Sequence, residues 1–222
     1  MLIISIDSEL KSRCPQLRLG CIVADVQVAE SDRALLAEIN ERLEQLRQSL
    51  RIEEISSIPA ITASRKAYRA CGKDPARYRL SAEALLRRIV SGKGLYQINN
   101  VVDQLNLVSV ISGFSIGGYD ADKIKGDICF GIGKENEPYE GIGRGELNIE
   151  NLPVFRDQEG AFGTPTSDSQ RTEVSNDTRK FLMILIDFDR NSELEKAKLM
   201  AIQLLREHCG GSNIKEYNIG DY

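Results

Sequence analysis

The 222-residue sequence has no tryptophan, and its aromatic residues amount to only 6% of the chain. Proteins that hold bare single strands by stacking carry more aromatic platforms, so this scarcity argues against that class. Positive charge is not in excess either, because the formal net charge is −4. Strong autonomous binding to RNA phosphates is therefore not expected, while a local basic patch is compatible with this balance.

Histidine occurs once, at His208, and the five cysteines are scattered without a CxxC pair. This pattern excludes the usual His/Cys metal sites and predicts reduced thiols rather than a disulfide framework. It also leaves no Ser/His/Asp or Cys/His system. A histidine near the end of the last predicted helix is interpreted as a partner of the helix dipole. We expect no metal and no cofactor, and the sequence assigns no catalytic residue.

The N-terminus, MLIISIDSEL, has no basic segment and only a short apolar run before Asp7. It predicts neither a signal peptide nor a membrane helix, so we expect a cytoplasmic protein without membrane contact. Phosphate-binding loops of the G-x-x-x-x-G-K-[ST] or GxGxxG type are also absent. The glycines of GIGKENEPYEGIGRG are interpreted as turn residues between short strands.

Apolar residues at helical spacing predict helices over about 32–50 and 58–71. Further helices are predicted after a Ser81 cap, from Asn99 or Asn100 to Gly113, and over about 192–209. Strands are predicted at 2–6 and 17–28, in several short segments after Gly113, and at 181–188, where FLMILIDF is the best candidate for a central strand. Asp157 to Gly160 predicts a hairpin turn. The polar tail that follows to Tyr222 is expected to be loosely held.

Helices cluster in the middle of the chain and strands mostly follow them. This order predicts one α+β domain over residues 1–222 rather than a regular βαβ alternation. Its core is expected to be a mixed, largely antiparallel sheet or barrel-like structure with several helices packed around it.

The segment Thr164–Thr172 combines small hydroxyl side chains with the carboxylate of Asp168 and the guanidinium of Arg171. Such groups can bind a polar ligand, with Arg171 on a carboxylate or phosphate and Asp168 on an ammonium. The alternative is a structural loop whose hydroxyls satisfy their own backbone. Composition favours neither interpretation.

Residues 65–88 concentrate eight basic side chains in a chain that is acidic as a whole. They form either a solvated helix face offset by acids or a surface that contacts tRNA. Under the second interpretation the contacts are Arg65, Arg69 and Arg79.

A family resemblance is carried by VVDQLN (101–106), Gly113, GYD (118–120) and IKGDI (124–128). These residues resemble the editing domain, the B3 and B4 modules, of the bacterial phenylalanyl-tRNA synthetase β subunit. The stretch from Arg65 to Leu85 and the SDSQRT loop are similar to the stand-alone branch of that family. The resemblance covers about residues 60–188 and implies the editing-domain fold.

In that family the domain hydrolyses tyrosine that has been wrongly attached to the phenylalanine tRNA. The resemblance places the helix asparagine at Asn106, whereas Gly117 replaces the loop histidine. Gln170, or a residue near it, replaces the glutamate that recognises the tyrosine hydroxyl, so tyrosine specificity is not transferred. The implied binding pocket consists of Asn106, Gly117, Gly118, Tyr119, Asp120, Thr166, Asp168, Ser169, Gln170, Arg171 and Thr172.

Three functions are compatible with these features. The first is a trans-acting deacylase that binds an aminoacyl-tRNA and hydrolyses its ester. The second is a non-catalytic module that binds an amino acid or a derivative of one. The third is an interaction protein with a vestigial pocket, which would use its 32–50 helix. A complete synthetase is excluded, since the ATP-binding motifs of the synthetase catalytic module are missing from the sequence.

Overall fold

A computed structural model describes residues 3–221 and shows three layers: a β-sheet, a second β-sheet and a layer of helices. The helices are α1 (Ser8–Arg13), α2 (Arg33–Ser49), α3 (Pro59–Ala70), α4 (Ser81–Val90), α5 (Asn100–Ser112) and α6 (Leu194–His208). The strands are β1 (Ile4–Ile6), β2 (Arg18–Asp25), β3 (Ser115–Asp120), β4 (Ile128–Ile132), β5 (Glu140–Gly141), β6 (Gly145–Glu146), β7 (Pro153–Asp157), β8 (Gly160–Gly163), β9 (Lys180–Asp187) and β10 (Ser212–Ile219).

The first sheet has the strand order β1-β4-β7-β8, and the second has the order β10-β2-β9-β3. Strands β5 and β6 form a separate short hairpin. All pairs in the second sheet are antiparallel, whereas β1 and β4 are parallel in the first. This arrangement confirms the predicted α+β class with a largely antiparallel core.

Strand β9 lies inside the second sheet, between β2 and β3, as the run FLMILIDF predicts. Its alternate side chains serve two different cores, because successive residues of a strand point to opposite faces. Leu182, Ile184 and Ile186 pack between the two sheets. Phe181, Met183 and Leu185 pack against the helices. A strand buried on both faces accounts for the nearly continuous apolar sequence.

The helix predictions are confirmed within a residue or two at each end. The side chain of Asn99 caps α5 by accepting the N–H of Val102 at 2.9 Å, and Gly113 ends the helix in a left-handed conformation with φ of 76°. The prediction that Ser81 caps α4 is wrong. Leu80 occupies the cap position, and the Ser81 N–H donates instead to the carbonyl of Pro165 at 2.8 Å.

The expectation of a loosely held C-terminal tail is also wrong over Ser212–Ile219. These residues form β10, which pairs along β2 at the edge of the second sheet. Their exposed, mostly polar sequence gives little local signal for a strand, and it is the neighbouring strand that fixes their conformation. In the predicted strand 2–6, Ile4–Ile6 is β1 and Leu2 lies outside the described residues, as does Tyr222.

Within residues 3–221, none of the helices combines the length and the apolar character that crossing a bilayer requires.

Candidate functional site

A cavity of 220 Å³ opens where the outer strand of the second sheet meets the helix layer. It is enclosed by β3, α4, α5, the β5–β6 hairpin and the loop that follows β8. The lining is mainly apolar, and most of its polar groups come from that loop. The lining residues are Ser81, Leu85, Ile98, Val102, Leu105, Asn106, Ser109, Ile116, Gly118, Ile142, Thr164, Ser167, Asp168, Glu173 and Val174.

Helix α5 supplies one wall through Val102, Leu105, Asn106 and Ser109. Their spacing of three and four residues places them on one face of the helix. Ser109 donates its hydroxyl to the carbonyl of Phe114 at 2.7 Å, so it is already engaged. The Asn106 side chain is half-buried and forms no hydrogen bond within residues 3–221. Its amide is therefore available to a ligand.

Strand β3 approaches the cavity with bare backbone at Gly118. A Cβ atom at this position would lie 2.5 Å from Cδ1 of Leu105, so a larger residue would require the Leu105 side chain to move. The Gly118 N–H donates to Oδ2 of Asp168 at 3.2 Å. This bond ties the edge strand to the loop carboxylate.

The loop from Thr164 to Asp168 is held on three sides. The Tyr68 hydroxyl of α3 shares a buried 2.8 Å hydrogen bond with the Thr166 hydroxyl. The Tyr139 hydroxyl donates to the carbonyl of Ser167 at 2.6 Å. The bond from the Ser81 N–H of α4 to Pro165 adds the third contact. These anchors fix the loop before any ligand arrives.

The loop hydroxyls mostly serve their own backbone, as the structural-loop alternative predicts. Thr164 Oγ1 accepts the N–H groups of Thr166 and Ser167 at 3.1 and 3.0 Å. Ser169 Oγ accepts the N–H of Arg171 at 3.3 Å and begins a short 3-10 turn. The carboxylate of Asp168 is therefore the main polar group of this loop that a ligand could contact.

Asp168 contributes a buried carboxylate to the cavity. Its Oδ1 atom is inaccessible to solvent and forms no well-aligned hydrogen bond within residues 3–221, although the Tyr119 hydroxyl lies close to the carboxylate. Burial raises the pKa of Asp168 to about 7, against the smaller opposing effects of the Gly118 N–H and the Tyr119 hydroxyl. Because Asp168 also borders the cavity, a ligand that donates a proton or carries positive charge would be favoured beside it.

The predicted pocket residues do not all converge. Asn106, Gly118 and Asp168 line the cavity. Ser169 and Arg171 instead line a separate cleft of 850 Å³. There Arg171 binds Asp157 at 2.8 Å and Glu159 at 3.2 Å. Its guanidinium is thus occupied by carboxylates of the chain itself.

The remaining predicted pocket residues lie outside the cavity. Gln170 is exposed and Thr172 is fully buried. Thr166 is buried against Tyr68 and lines a groove of 580 Å³ that adjoins the cavity, not the cavity itself. The Asp120 carboxylate accepts the Thr178 hydroxyl at 2.8 Å inside the protein.

Gly117 and Tyr119 face the space between the two sheets, on the side of β3 away from the cavity. The Tyr119 ring packs edge-on against Phe162, with centroids 4.9 Å apart. A Cβ atom at Gly117 would lie 2.0 Å from the Tyr119 hydroxyl oxygen, and one at Gly163 would lie 2.1 Å from it. Tyr119 therefore fills the space that a side chain at position 117 would need.

The three predicted tRNA contacts, Arg65, Arg69 and Arg79, do not line the same groove. Arg65 is tied to the buried Glu83 at 2.8 Å, and Arg69 is exposed elsewhere on α3. Arg79 lines the 580 Å³ groove that adjoins the cavity. Of the basic residues from 65 to 88, Arg79, Arg87 and Arg88 are the ones that reach this groove.

The sequence patterns do not predict the apolar wall formed by Leu85, Ile98, Ile142 and Val174, nor the contribution of Ser109 and Glu173 to the cavity. Helical spacing from Asn106 would have found Val102 and Ser109. Nothing local in the sequence links Ile142 or Val174 to α5, because their proximity arises only from tertiary packing.

His208 lies at the end of α6, where its Nδ1 atom is 3.5 Å from a carboxylate oxygen of Asp32. It does not line the cavity. Across residues 3–221, no group of three or more His, Cys, Asp or Glu side chains has the arrangement of a metal site.

The fold and this cavity define a class of protein: a layered α+β domain with a preformed, amino-acid-sized pocket at the edge of a sheet. Residues 63–210 match the family described as the B3/4 domain, so the chain belongs to that family. A crystal structure of an N-terminal fragment of the phenylalanyl-tRNA synthetase β-subunit from Pyrococcus horikoshii has a similar fold, with a TM-score of 0.50 and 17% sequence identity.

That structural match covers 98% of this chain and 54% of the synthetase fragment, so the chain spans about half the length of its relative. No match was found among curated protein sequences. The family match shows that the chain is a B3/4 domain, and the structural match shows that it shares the fold of the synthetase fragment.

Proposed function

We propose that the protein binds the aminoacyl group of an aminoacyl-tRNA in the cavity and hydrolyses the ester that joins it to the RNA. The observation that carries this proposal is a mainly apolar cavity lined by one carboxylate, Asp168, and by one amide, Asn106, that forms no hydrogen bond among the described residues. Family membership supports the same substrate class.

The cavity has the size of a single amino-acid group. Its 220 Å³ is below the range of about 300–1,000 Å³ that is usual for drug-sized ligands. The ribose and bases of the RNA would therefore lie outside it. The apolar walls from α4 and α5 would hold the aliphatic or aromatic part of the amino acid, while Asp168 would accept a hydrogen bond from its ammonium group or another donor.

The lining also favours an ester over a free amino acid. None of the cavity residues among those described is Lys, Arg or His, so a free carboxylate held inside the cavity would have no cationic partner and would lie near Asp168 and Glu173; the nearest group of basic side chains lies in the adjoining groove. Esterification removes the negative charge of the carboxyl group. Burying the ester costs less than burying a carboxylate.

The chemical step requires water but no protein nucleophile. Water attacks the carbonyl carbon, the bond from that carbon to the ribose oxygen breaks, and the proton lost by water is transferred to the ribose oxygen. The products are a free amino acid and an RNA with a free terminal hydroxyl. Asn106 can donate its amide N–H to the oxygen that gains charge. Because an aminoacyl ester is already activated, positioning accounts for much of the expected acceleration.

The direct test is deacylation of a panel of mischarged tRNAs by the parent protein and by Asn106→Ala. We expect at least one tRNA to be deacylated and kcat/KM to fall at least tenfold in the variant, a change of about 1.4 kcal/mol in transition-state stabilisation. Asn176→Ala is the matched control, since Asn176 is an exposed residue outside the cavity. If no tRNA is deacylated, the proposed hydrolysis is wrong.

A second candidate is a non-catalytic module that recognises an amino-acid derivative. It is favoured by the absence of a histidine or cysteine from the cavity lining among the described residues. The sequence predicts that Arg171 binds the ligand carboxylate, but Arg171 is paired with Asp157 and Glu159. Any ligand bound in the cavity would depend on Asp168 instead.

Thermal shift measurements with amino acids and their methyl esters test this recognition. We expect the esters to raise the melting temperature more than the free amino acids, because ligand binding stabilises the folded state by mass action and the cavity lacks a carboxylate partner. Asp168→Asn should reduce the shift, while Asp177→Asn, at an exposed position, should preserve it. Larger shifts with the free amino acids would contradict the charge argument.

A further inference from the structure

The groove that adjoins the cavity is strongly cationic. It is walled by the basic side chains of Arg79, Arg87, Arg88, Lys93 and Arg144, and none of its lining residues in the described part of the chain is acidic. This contrasts with the chain as a whole, whose formal net charge is −4. A concentrated positive surface on an acidic protein points to an anionic ligand.

The positive charge of the groove is only partly neutralised by the protein. Glu83 is buried and contacts Arg65 at 2.8 Å, Arg87 at 3.1 Å and Arg79 at 4.0 Å. One carboxylate thus serves three guanidinium groups. Arg88, Lys93 and Arg144 form no salt bridge anywhere in residues 3–221.

An aromatic ring stands at the same surface. The guanidinium carbon of Arg88 lies 3.7 Å from the centroid of the Tyr96 ring, and Arg88 Nη1 donates to the Tyr96 hydroxyl at 3.0 Å. Tyr96 nevertheless remains 59% exposed. An aromatic ring backed by a guanidinium and open to solvent is a suitable platform for a nucleobase.

The groove and the cavity are continuous. Ser81, Leu85, Asn106, Ile142 and Ser167 line both of them, whereas Asp168 lines only the cavity. A ligand can therefore extend from Asp168, past Asn106, into the cationic groove. In that direction an amino acid would come first, its ester next and a phosphate chain last.

We propose that this groove binds the single-stranded 3′ end of the RNA that carries the ester. Phosphates lie against Arg79, Arg87, Lys93 and Arg144, and a base near the terminus stacks on Tyr96. This inference rests on the proposed function for its choice of ligand. It assigns the RNA contact to the groove rather than to the exposed part of α3.

The test is fluorescence anisotropy with a labelled, uncharged single-stranded RNA octamer that ends in CCA. Arg144→Glu should weaken binding at least tenfold at low salt and reduce the slope of log affinity against log salt, because fewer counterions are released. Arg69→Glu is the matched control, since Arg69 is basic and exposed but lies outside the groove. It should change the affinity less than twofold.

Tyr96 separates stacking from charge. Tyr96→Ala should weaken RNA binding at least fivefold, while Tyr96→Phe should stay within twofold because the ring is kept and only the bond to Arg88 is lost. Melting curves verify that each variant is folded. Equal losses in Arg69→Glu and Arg144→Glu, or unchanged binding in Tyr96→Ala, would overturn the groove assignment.

A small substrate distinguishes failure of this inference from failure of the proposed function. With 2′(3′)-O-aminoacyl-adenosine, which carries no phosphate chain, the loss of kcat/KM in Arg144→Glu should be at least fivefold smaller than with the full aminoacyl-tRNA. With the full aminoacyl-tRNA, the same variant should lose at least tenfold in kcat/KM. If the parent hydrolyses neither substrate but the RNA-binding pattern is observed, the groove assignment stands and the hydrolysis proposal falls. If both substrates are hydrolysed and Arg144→Glu changes neither rate, the hydrolysis proposal stands and the groove assignment is wrong.

Discussion

At the residue scale, Asp168 combines two properties that normally exclude each other. Its carboxylate lies beside apolar side chains, yet its Oδ1 atom forms no well-aligned hydrogen bond within the described residues, although the Tyr119 hydroxyl lies close to it. An unsatisfied buried polar atom costs about 1–3 kcal/mol, and more when the group is charged. The cost is therefore largest when Asp168 is ionised.

The raised pKa of Asp168 gives a prediction for stability against pH. In the folded protein its pKa is about 7, compared with an ordinary value of 3.8. Ionisation therefore occurs at lower pH in the unfolded chain, and Asp168 destabilises the fold progressively as pH rises from about 4 to about 7. Asp168→Asn removes this penalty and keeps an oxygen for the Gly118 N–H.

We expect Asp168→Asn to exceed the parent in free energy of unfolding by on the order of 2–4 kcal/mol above pH 7, with the difference vanishing below pH 4. Urea unfolding at several pH values measures it. The exposed Asp177→Asn should show no such pH-dependent difference. A constant offset across the whole pH range would show that burial of the charge is not the cause.

At the element scale, α5 carries two asparagines with separate tasks. The Asn100 side chain is buried, donates to the carbonyls of Gln27 and His208 at 3.0 and 2.8 Å, and accepts the N–H of Ala29 at 3.0 Å. It joins the start of α5 to the end of α6 and to the segment after β2. Asn106 lies on the same helix and faces the cavity.

Substituting each asparagine by alanine should separate stability from recognition. Asn100→Ala should lower the free energy of unfolding by about 2–4 kcal/mol, because it removes the three tertiary hydrogen bonds of a buried side chain. Asn106→Ala should change it by less than about 0.5 kcal/mol, as is usual for a position without intramolecular bonds. Urea unfolding of the two variants measures this contrast. Equal destabilisation would mean that Asn106 also has a structural role.

The same scale shows which elements a sequence can reveal. Helix α5 and strand β9 follow from local periodicity, since their apolar residues must face a core. Strand β10 does not, because its polar residues adopt their conformation only beside β2. Only part of the candidate site was predicted, because the direction of a loop side chain also depends on tertiary structure. Asp168 and Arg171 are three residues apart in one loop, but its 3-10 turn directs them into different cavities.

At the scale of the whole molecule, the second sheet belongs to both cores. Strand β9 contributes side chains to the core between the sheets and to the core beneath the helices. The short β5–β6 hairpin, by contrast, has exposed glycines and projects Ile142 and Arg144 towards the cavity and the groove.

Hydrogen exchange should reflect this organisation. Amides of Lys180–Asp187 are expected to exchange slowest, through global unfolding, because both of their neighbouring strands must detach before they open. Amides of the β5–β6 hairpin should exchange faster by several orders of magnitude, through local opening. Mass spectrometry of peptides from the two segments compares them. Similar protection in both would contradict this division.

Gly117 and Gly163 pack closely against the Tyr119 hydroxyl. This packing restricts the order in which residues 117 and 119 can be substituted. Any side chain introduced at position 117, including the histidine that the family resemblance implies there, would contact the Tyr119 ring before it contacted a ligand. A smaller residue must therefore replace Tyr119 first, and that substitution leaves a cavity between the two sheets. Positions 117 and 119 therefore cannot be substituted independently. A variant with histidine at position 117 needs a smaller residue at position 119, and the variant with the smaller residue alone is less stable than the parent.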